Sequence, residues 1–383
     1  MSMSTYLDNA ATTKVDPRVL EAMQPYLLEE YGNSASVHQM GKRADAALAE
    51  ARATIANVLN ASPGEILFTS GGTESDALAI RGIAYAMQQK GKHLITSQIE
   101  HAAVLETHRQ LEREGFSVTY LSPNAEGVIA PDALRAALKP DTVLVSIMHA
   151  NNEIGTIQDI VALATICKSA GVKFHSDAVQ SFCKIPIDVQ QIPVDALSLS
   201  AHKIHGPKGV GALYLRSGTR LAPQQRGGEH EFKIRAGTVN VPGAVGFAKA
   251  VTLMDEVQNL QVQALRDYFI AEVLRRIPDT RLNGPSLNRL CNNASIAFKH
   301  VEADSLLALL DEQGICVSTG SACESYSLEP SHVLQAIKLP AEWAQGTLRF
   351  TLSRFTTQEE LDYAIAVLEK IVAELRSKSR LMR

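Results

Sequence analysis

The sequence predicts an α/β protein built on a parallel sheet. Between Glu65 and about Leu215, short β-branched runs alternate with stretches of helical period, the pattern of repeated βαβ units. Glycines close the helical stretches, which marks where each unit turns back. The chain has 383 residues, 45% hydrophobic and 20% charged, enough for two or three globular domains.

Taken in order, the first dozen residues are extended and polar, and are expected to fold against a second domain or across a partner chain. Glu65-Ile-Leu-Phe-Thr-Ser70 reads as a buried strand. From Glu74 to Lys90, Ala77, Ile80, Ile83, Ala84 and Met87 recur at helical spacing, and Gly91 closes the helix. A short strand follows from His93 to Thr96. Thr142-Val-Leu-Val-Ser-Ile-Met148 is a second central strand, followed by a polar loop and a helix from about Asp159 to Ala170 capped by Gly171. Val172-Lys-Phe-His-Ser176 is a third. After Val241 one long helical pattern runs to about Ile277, where Pro278 ends it, and the domain boundary is placed near that helix. The remainder alternates strand and helix less regularly. Arg376-Ser-Lys-Ser-Arg380 reads as a fraying helix tail.

The charge balance, 37 Lys and Arg against 41 Asp and Glu for a net −4, points to no nucleic-acid partner. No apolar run approaches the roughly 20 residues of a membrane helix, and the N-terminus lacks a basic region followed by an apolar one, so a cytoplasmic protein without membrane contact is expected. Five cysteines form no CxxC pair and have no histidine at zinc-ligand spacing. Neither a disulfide framework nor a metal site is expected, and Cys167 reads as a small buried hydrophobe.

Ligands of an open parallel sheet bind beyond the carboxyl ends of its strands, and four loops there carry unusual residues. In Thr69-Ser-Gly-Gly-Thr-Glu74, Gly71 and Gly72 let the backbone approach an anion while Thr73 and the first helical N–H groups face it. Alone, that segment reads as readily as a plain turn. Ser198-Leu-Ser-Ala-His-Lys203-Ile-His-Gly-Pro-Lys-Gly209 places Lys203 between two histidines at a strand end, where an amine of lowered pKa can form a Schiff base; a surface lysine beside a turn is an equal reading. Asp177, after an apolar strand, is a helix cap or the carboxylate that keeps a pyridine nitrogen protonated. His101, in Ser97-Gln-Ile-Glu-His101, either stacks on an aromatic cofactor or caps the next helix. His149-Ala-Asn-Asn152-Glu-Ile-Gly155 adds amides at the same edge.

Eight segments together resemble the cysteine desulfurases, class V aminotransferases of the fold-type I pyridoxal-phosphate group. They are Tyr6-Leu-Asp-Asn-Ala-Ala-Thr-Thr13, Thr69-Ser-Gly-Gly-Thr-Glu-Ser75, Glu100-His101, His149-Ala-Asn-Asn-Glu-Ile-Gly155, Asp177-Ala-Val-Gln180, Ser200-Ala-His-Lys-Ile-His-Gly-Pro-Lys-Gly-Val-Gly211, Arg235-Ala-Gly-Thr238 and Ser318-Thr-Gly-Ser-Ala-Cys323. They span nearly the whole chain in the family's order. The resemblance implies a mainly parallel seven-stranded sheet flanked by helices in a large domain, residues 13–250, and a smaller α+β domain, residues 1–12 and 251–383.

It also implies pyridoxal 5'-phosphate on Lys203, with Asp177 at the ring nitrogen, Gln180 at the ring oxygen and His101 stacked on the ring. Thr73, Ser200 and His202 would hold the phosphate, with Thr238 reaching in from the second subunit of a homodimer, and Gly72 would also contact the cofactor. Asn152 would bond near the ring and substrate, and Arg349 would clamp the substrate carboxylate, a planar partner that suits a guanidinium. Cys323 would take sulfur from L-cysteine as a persulfide, leaving L-alanine, and pass it to an acceptor protein docking near its loop. Its setting, Ser318 to Pro330, is polar and rich in small residues, as a mobile exposed loop would be, and resembles the long-loop group. Candidate acceptor pathways are iron–sulfur cluster assembly, tRNA thiolation and DNA phosphorothioation. A selenocysteine lyase, a class V transaminase and a non-catalytic sulfur-delivery scaffold are the competing readings. Two departures from the family stand out: Gly32-Asn-Ser34 replaces Gly-Asn-Pro, and the chain stops at Arg383, where housekeeping members carry a longer tail that docks a scaffold.

Overall fold

All the strands expected between residues 65 and 215 form, and they join one sheet. The computed structural model describes residues 5–320 and 330–378. The first half of the chain contains β1 (Thr5–Tyr6), α1 (Pro17–Leu28), α2 (Gln39–Val58), β2 (Ile66–Thr69), α3 (Gly72–Met87), β3 (His93–Ser97), α4 (Ala102–Arg113), β4 (Ser117–Leu121), α5 (Pro131–Ala137), β5 (Thr142–Ser146), α6 (Ile160–Ser169) and β6 (Lys173–Asp177). The second half contains β7 (Ala196–Ser200), β8 (Gly211–Leu215), α7 (Val241–Thr252), α8 (Glu256–Arg276), β9 (Thr280–Leu282), β10 (Asn293–Phe298), α9 (Ala303–Glu312), β11 (Ile315–Cys316), α10 (His332–Ala336), α11 (Ala341–Ala344), β12 (Thr347–Thr351) and α12 (Gln358–Lys378).

The seven-stranded sheet has the order β2-β8-β7-β6-β5-β3-β4. Only β8 runs against its neighbours, so β2, β3, β5, β6 and β7 present their carboxyl ends at one edge. Successive side chains of a strand point to opposite faces. Ile66, Phe68 and Val145 thus enter a core shared with Ile55, Leu163 and Phe247, while Leu67 and Leu144 enter another shared with Leu78, Ile83 and Leu111. Helices cover both faces, as a buried parallel sheet requires. The helix expected at 159–170 starts at its Asp159 cap, and Gly171 follows it with φ +65°. That left-handed turn suits glycine.

A three-stranded antiparallel sheet, β12-β10-β9, packs with α8, α9 and α12 over a separate core that includes Leu7, Phe269, Ile296 and Phe350. The opening segment joins it: β1 pairs in parallel with β11, and Thr351 N–H donates to the Leu7 carbonyl at 2.7 Å.

Two expectations are corrected. The helical pattern from Val241 to Ile277 is two helices, broken at residues 253–255, because the Asp255 carboxylate accepts the Gln258 N–H at 2.7 Å and starts α8 afresh. The break is where the chain leaves the core of the large sheet, which holds Val251, for that of the small one, which holds Val262. Nor is Arg376 part of a fraying tail. The residue is 9% exposed, and its guanidinium donates to the carbonyls of Lys299 at 3.0 Å, Pro278 at 2.7 Å and Asp279 at 3.0 Å, pinning α12 to two turns of the small sheet. Arg376→Met keeps the apolar stem but removes three part-buried hydrogen bonds to backbone carbonyls, so urea unfolding should show a loss of about 1–3 kcal/mol. A loss below about 0.5 kcal/mol would show that the clasp contributes no net stability.

Candidate active site

The carboxyl edge of the large sheet opens into a cavity of about 230 Å³. The expected residues Gly72, Thr73, His101, Asn152, Asp177, Gln180, Ser200, His202, Lys203 and Arg349 all line it. Thr238 does not. It borders a different, smaller cavity with Thr69, Glu231 and Arg235. Cys323 lies outside the described residues.

Lys203 ends the single 3₁₀ turn that follows β7. Gly206 closes that turn tightly, since a Cβ there would stand 2.8 Å from the Ala201 carbonyl oxygen. The lysine Nζ donates to the carbonyls of Ala10 at 2.5 Å and Ala11 at 2.7 Å, so the opening segment forms one wall of the site. Gln180 Nε2 donates to the same Ala10 carbonyl at 3.0 Å. Burial pushes the Lys203 amine down to about 7, reinforced by the positive Arg349 and Lys184 and opposed by Asp177 and Asp8. An amine in that range is substantially neutral at neutral pH, as a proton acceptor must be.

Asp177 ends β6 and accepts the Val179 N–H at 2.8 Å. Burial raises its pKa, while His101, the Val179 N–H and Lys203 favour its charged form. His101 is the N-cap of α4, with Nδ1 accepting the Ala103 N–H at 3.1 Å. That bond leaves the proton of the neutral ring on Nε2, so the capping role also sets the tautomer. His202 is pushed down to about 3 by burial and then by Lys203, and its ring is neutral.

Gly71 has φ +154°, and a Cβ on Gly72 would stand 2.7 Å from Val179 Cγ2. Both positions therefore demand glycine. No side chain caps α3, and Gly72 and Thr73 of its first turn line the cavity, at the positive end of the helix dipole. Nearby, the Ser200 hydroxyl is buried without a hydrogen-bond partner among the described residues. Across the cavity Arg349 reaches in from β12, donating to Asp8 Oδ1 at 2.8 Å and to the Asn152 carbonyl at 3.2 Å, while its buried Nε has no such partner.

The chain matches the family model "Aminotransferase class-V" over residues 5–364. The chain belongs to the class-V aminotransferase family. Within that family it is 53% identical to the cysteine desulfurase IscS of Dictyoglomus turgidum, over 99% of this chain and 97% of that protein. It is 50% identical to the IscS of Methanosarcina thermophila, over 99% and 94%. A solved NifS-like protein superposes with TM-score 0.92 at 38% identity, covering 97% of this chain and all of the other. Class-V aminotransferases, the cysteine desulfurases among them, work with pyridoxal 5'-phosphate. Among the described residues of this class-V aminotransferase, no helix is long and apolar enough to cross a membrane.

Two buried carboxyl groups at the site were not singled out from sequence. Asp76 lines the cavity one helical turn beyond Gly72, and that i, i+4 spacing is the signal that could have found it. Glu100 accepts the Ser97 hydroxyl at 2.5 Å and the Met148 N–H at 3.0 Å, while its own carbonyl meets His332 Nε2 at 3.0 Å. It thus ties the His101 loop to the end of β5 and to α10. Burial pushes Glu100 up to about 8. A carboxyl raised in the folded state stabilises it fully below the ordinary carboxylate range, and that contribution is lost as pH rises to about 8. Between about pH 5 and pH 8, Glu100→Gln should lose less stability than the wild type, by at least about 2 kcal/mol in paired denaturation curves. Parallel curves would show Glu100 ionised throughout.

Proposed function

We propose that this cysteine desulfurase takes sulfur from L-cysteine at the cavity between the two sheets and hands it to an acceptor protein by way of Cys323. The observation that carries the reading is that Lys203, Asp177, His101 and Arg349, which come from four loops and strands far apart in sequence, share one cavity. The cavity fits pyridoxal 5'-phosphate: the unpartnered Ser200 hydroxyl, the glycine cradle and the uncapped start of α3 suit a phosphate, and the buried Asp177 suits a protonated ring nitrogen. Thr73, Ser200 and His202 would hold the phosphate, with Thr238 supplied by the second subunit of a homodimer. Gln180 would bond the ring oxygen, His101 would lie on the ring, and Lys203 would hold the aldehyde carbon.

When bound, the cofactor supplies an electron sink for the charge that develops at the substrate's α-carbon. The free Nε and bonded Nη groups of Arg349 grip the substrate carboxylate, with Asn152 beside them. Lys203, freed of its carbonyl partners, takes the α-proton and later returns a proton to the carbon skeleton. Cys323 attacks the substrate sulfur, so that a C–S bond breaks and an S–S bond forms. Atoms balance as L-cysteine plus a Cys323 thiol giving L-alanine plus a Cys323 persulfide. The division into residues 13–250 and residues 1–12 with 251–383 fits this scheme, one part holding the cofactor and the other delivering Arg349 and Cys323. The acceptor protein docks where the Cys323 segment leaves and rejoins the described chain, at Gly320 and Pro330.

Incubated with L-cysteine and a thiol reductant, the wild type should release alanine and sulfide in equal amounts. Lys203→Ala should lose both, by at least about 10³-fold, and Cys323→Ala should lose sulfide and turnover to alanine. Undiminished alanine release by either variant would sink the assignment of that residue.

A further inference from the structure

Asp76 has no part in the scheme above, yet its carboxyl is 1% exposed and lines the same cavity as Asp177. Its Oδ1 has no hydrogen-bond partner among the described residues. The nearest basic nitrogen is His175 Nε2, at 3.7 Å. That ring is committed elsewhere, Nδ1 meeting the Ser146 hydroxyl at 2.8 Å and Nε2 the Ser198 hydroxyl at 2.9 Å. Hydroxyls donate or accept as needed, so both bonds are satisfied by a neutral imidazole. Burial, and then the neighbouring His108, push His175 down to about 3, which leaves Asp76 without a cation.

Asp177 is placed differently. It has the Val179 N–H on one oxygen and both His101 and Lys203 acting in favour of its negative charge. The other acid facing the pair, Glu100, is buried and disfavours further negative charge on either. Two carboxylates in one poorly solvated cavity do not both ionise, and the charge settles where donors and cations support it. Burial and then Asp177 itself raise the pKa of Asp76 well above the carboxylate range, and the one donor that favours its charge, the Ser198 hydroxyl, does not offset them; with Oδ1 unpartnered and no cation at hand, the geometry points the same way.

We propose that Asp76 is a positioning residue of the site: it stays a neutral carboxylic acid beside Asp177, and by keeping the shared proton it leaves Asp177 as the anion that faces the cofactor ring. The role rests on the reading of Asp177 given above; the location of the proton does not. As a neutral acid Asp76 offers the cavity an O–H donor and adds no second charge to compete for His101 and Lys203.

Difference infrared spectroscopy on the full chain, with and without pyridoxal 5'-phosphate, tests this directly. Wild type minus Asp76→Asn at pH 7 should show the C=O stretch of a protonated carboxyl; a carboxylate band pair instead would overturn the proposal. Should Asp76→Asn fail to fold, Asp177→Asn in a Glu100→Gln background, which removes the other protonated carboxyl, supplies the second reading, because removing the neighbouring anion should move the titration of the protonated band to lower pH. An unmoved band would show that the two groups do not share a proton. In steady-state assays at pH 7, Asp177→Asn should lose at least about 100-fold in kcat/KM, and Asp76→Asn, which imitates the neutral acid, should lose at least about tenfold less than that. A loss in Asp76→Asn as large as that in Asp177→Asn would make Asp76 the anion and reverse the assignment. If Asp177→Asn loads cofactor and turns over normally while the protonated band is present, the role given to Asp177 fails and the proton still belongs to Asp76.

Discussion

The Lys203 amine is held by two backbone carbonyls of the opening segment, and the rest of the site depends on where that segment runs. Residues 5–16 are claimed from both sides. The small sheet takes Thr5 and Leu7 through β11 and takes Asn9 and Ala10 through Thr351. The large sheet takes Ala10 through Gln180 and Lys203, and Thr13 through the His202 carbonyl. Backbone groups buried this way need partners, and here the partners are the functional side chains. The same stretch supplies Asp8, which holds Arg349, and Asp16, which holds Arg354. A strap bonded along both margins fixes the distance between the strand that carries Arg349 and the turn that carries Lys203.

The cavity is also arranged so that its charges depend on one another. The Lys203 amine and the Arg349 guanidinium have little solvent, and each lowers the cost of its burial by facing oxygens rather than water. The histidines around them, His202, His149 and His175, are all pushed by burial toward neutrality, so they act as hydrogen-bonding groups of fixed charge across the physiological range. What titrates near neutrality around them is the Lys203 amine and, behind the His101 loop, the Glu100 carboxyl. The surrounding polarity therefore confines the pH response to an amine and a carboxyl.

What could be read from sequence was local. The βαβ rhythm, the glycine after α6 and the loops that bear His101, Asp177 and Lys203 each announce themselves within a dozen residues, and the parallel order of the sheet then brings them together without further information. Features that depend on distant partners could not be read. The Arg349 bond to Asp8 spans 341 residues, and Arg376 finds carbonyls roughly 80 to 100 positions upstream. Asp255 was hidden because a helix cap inside an apolar period looks like one more polar position. Asp76 was hidden for the opposite reason: within the stripe of α3 it reads as a surface acid, and only the neighbouring strand ends reveal that it is buried.

The strap also orders events in time. Asn9 must find Thr351, 342 residues along the chain, before the wall that receives Lys203 exists. Closing so long a loop costs entropy that local contacts do not repay, so contacts within the large sheet form ahead of those of the strap. The large sheet can assemble while the strap waits, leaving its carboxyl edge open. A product truncated before β12 would hold Lys203 with no strap wall to meet it.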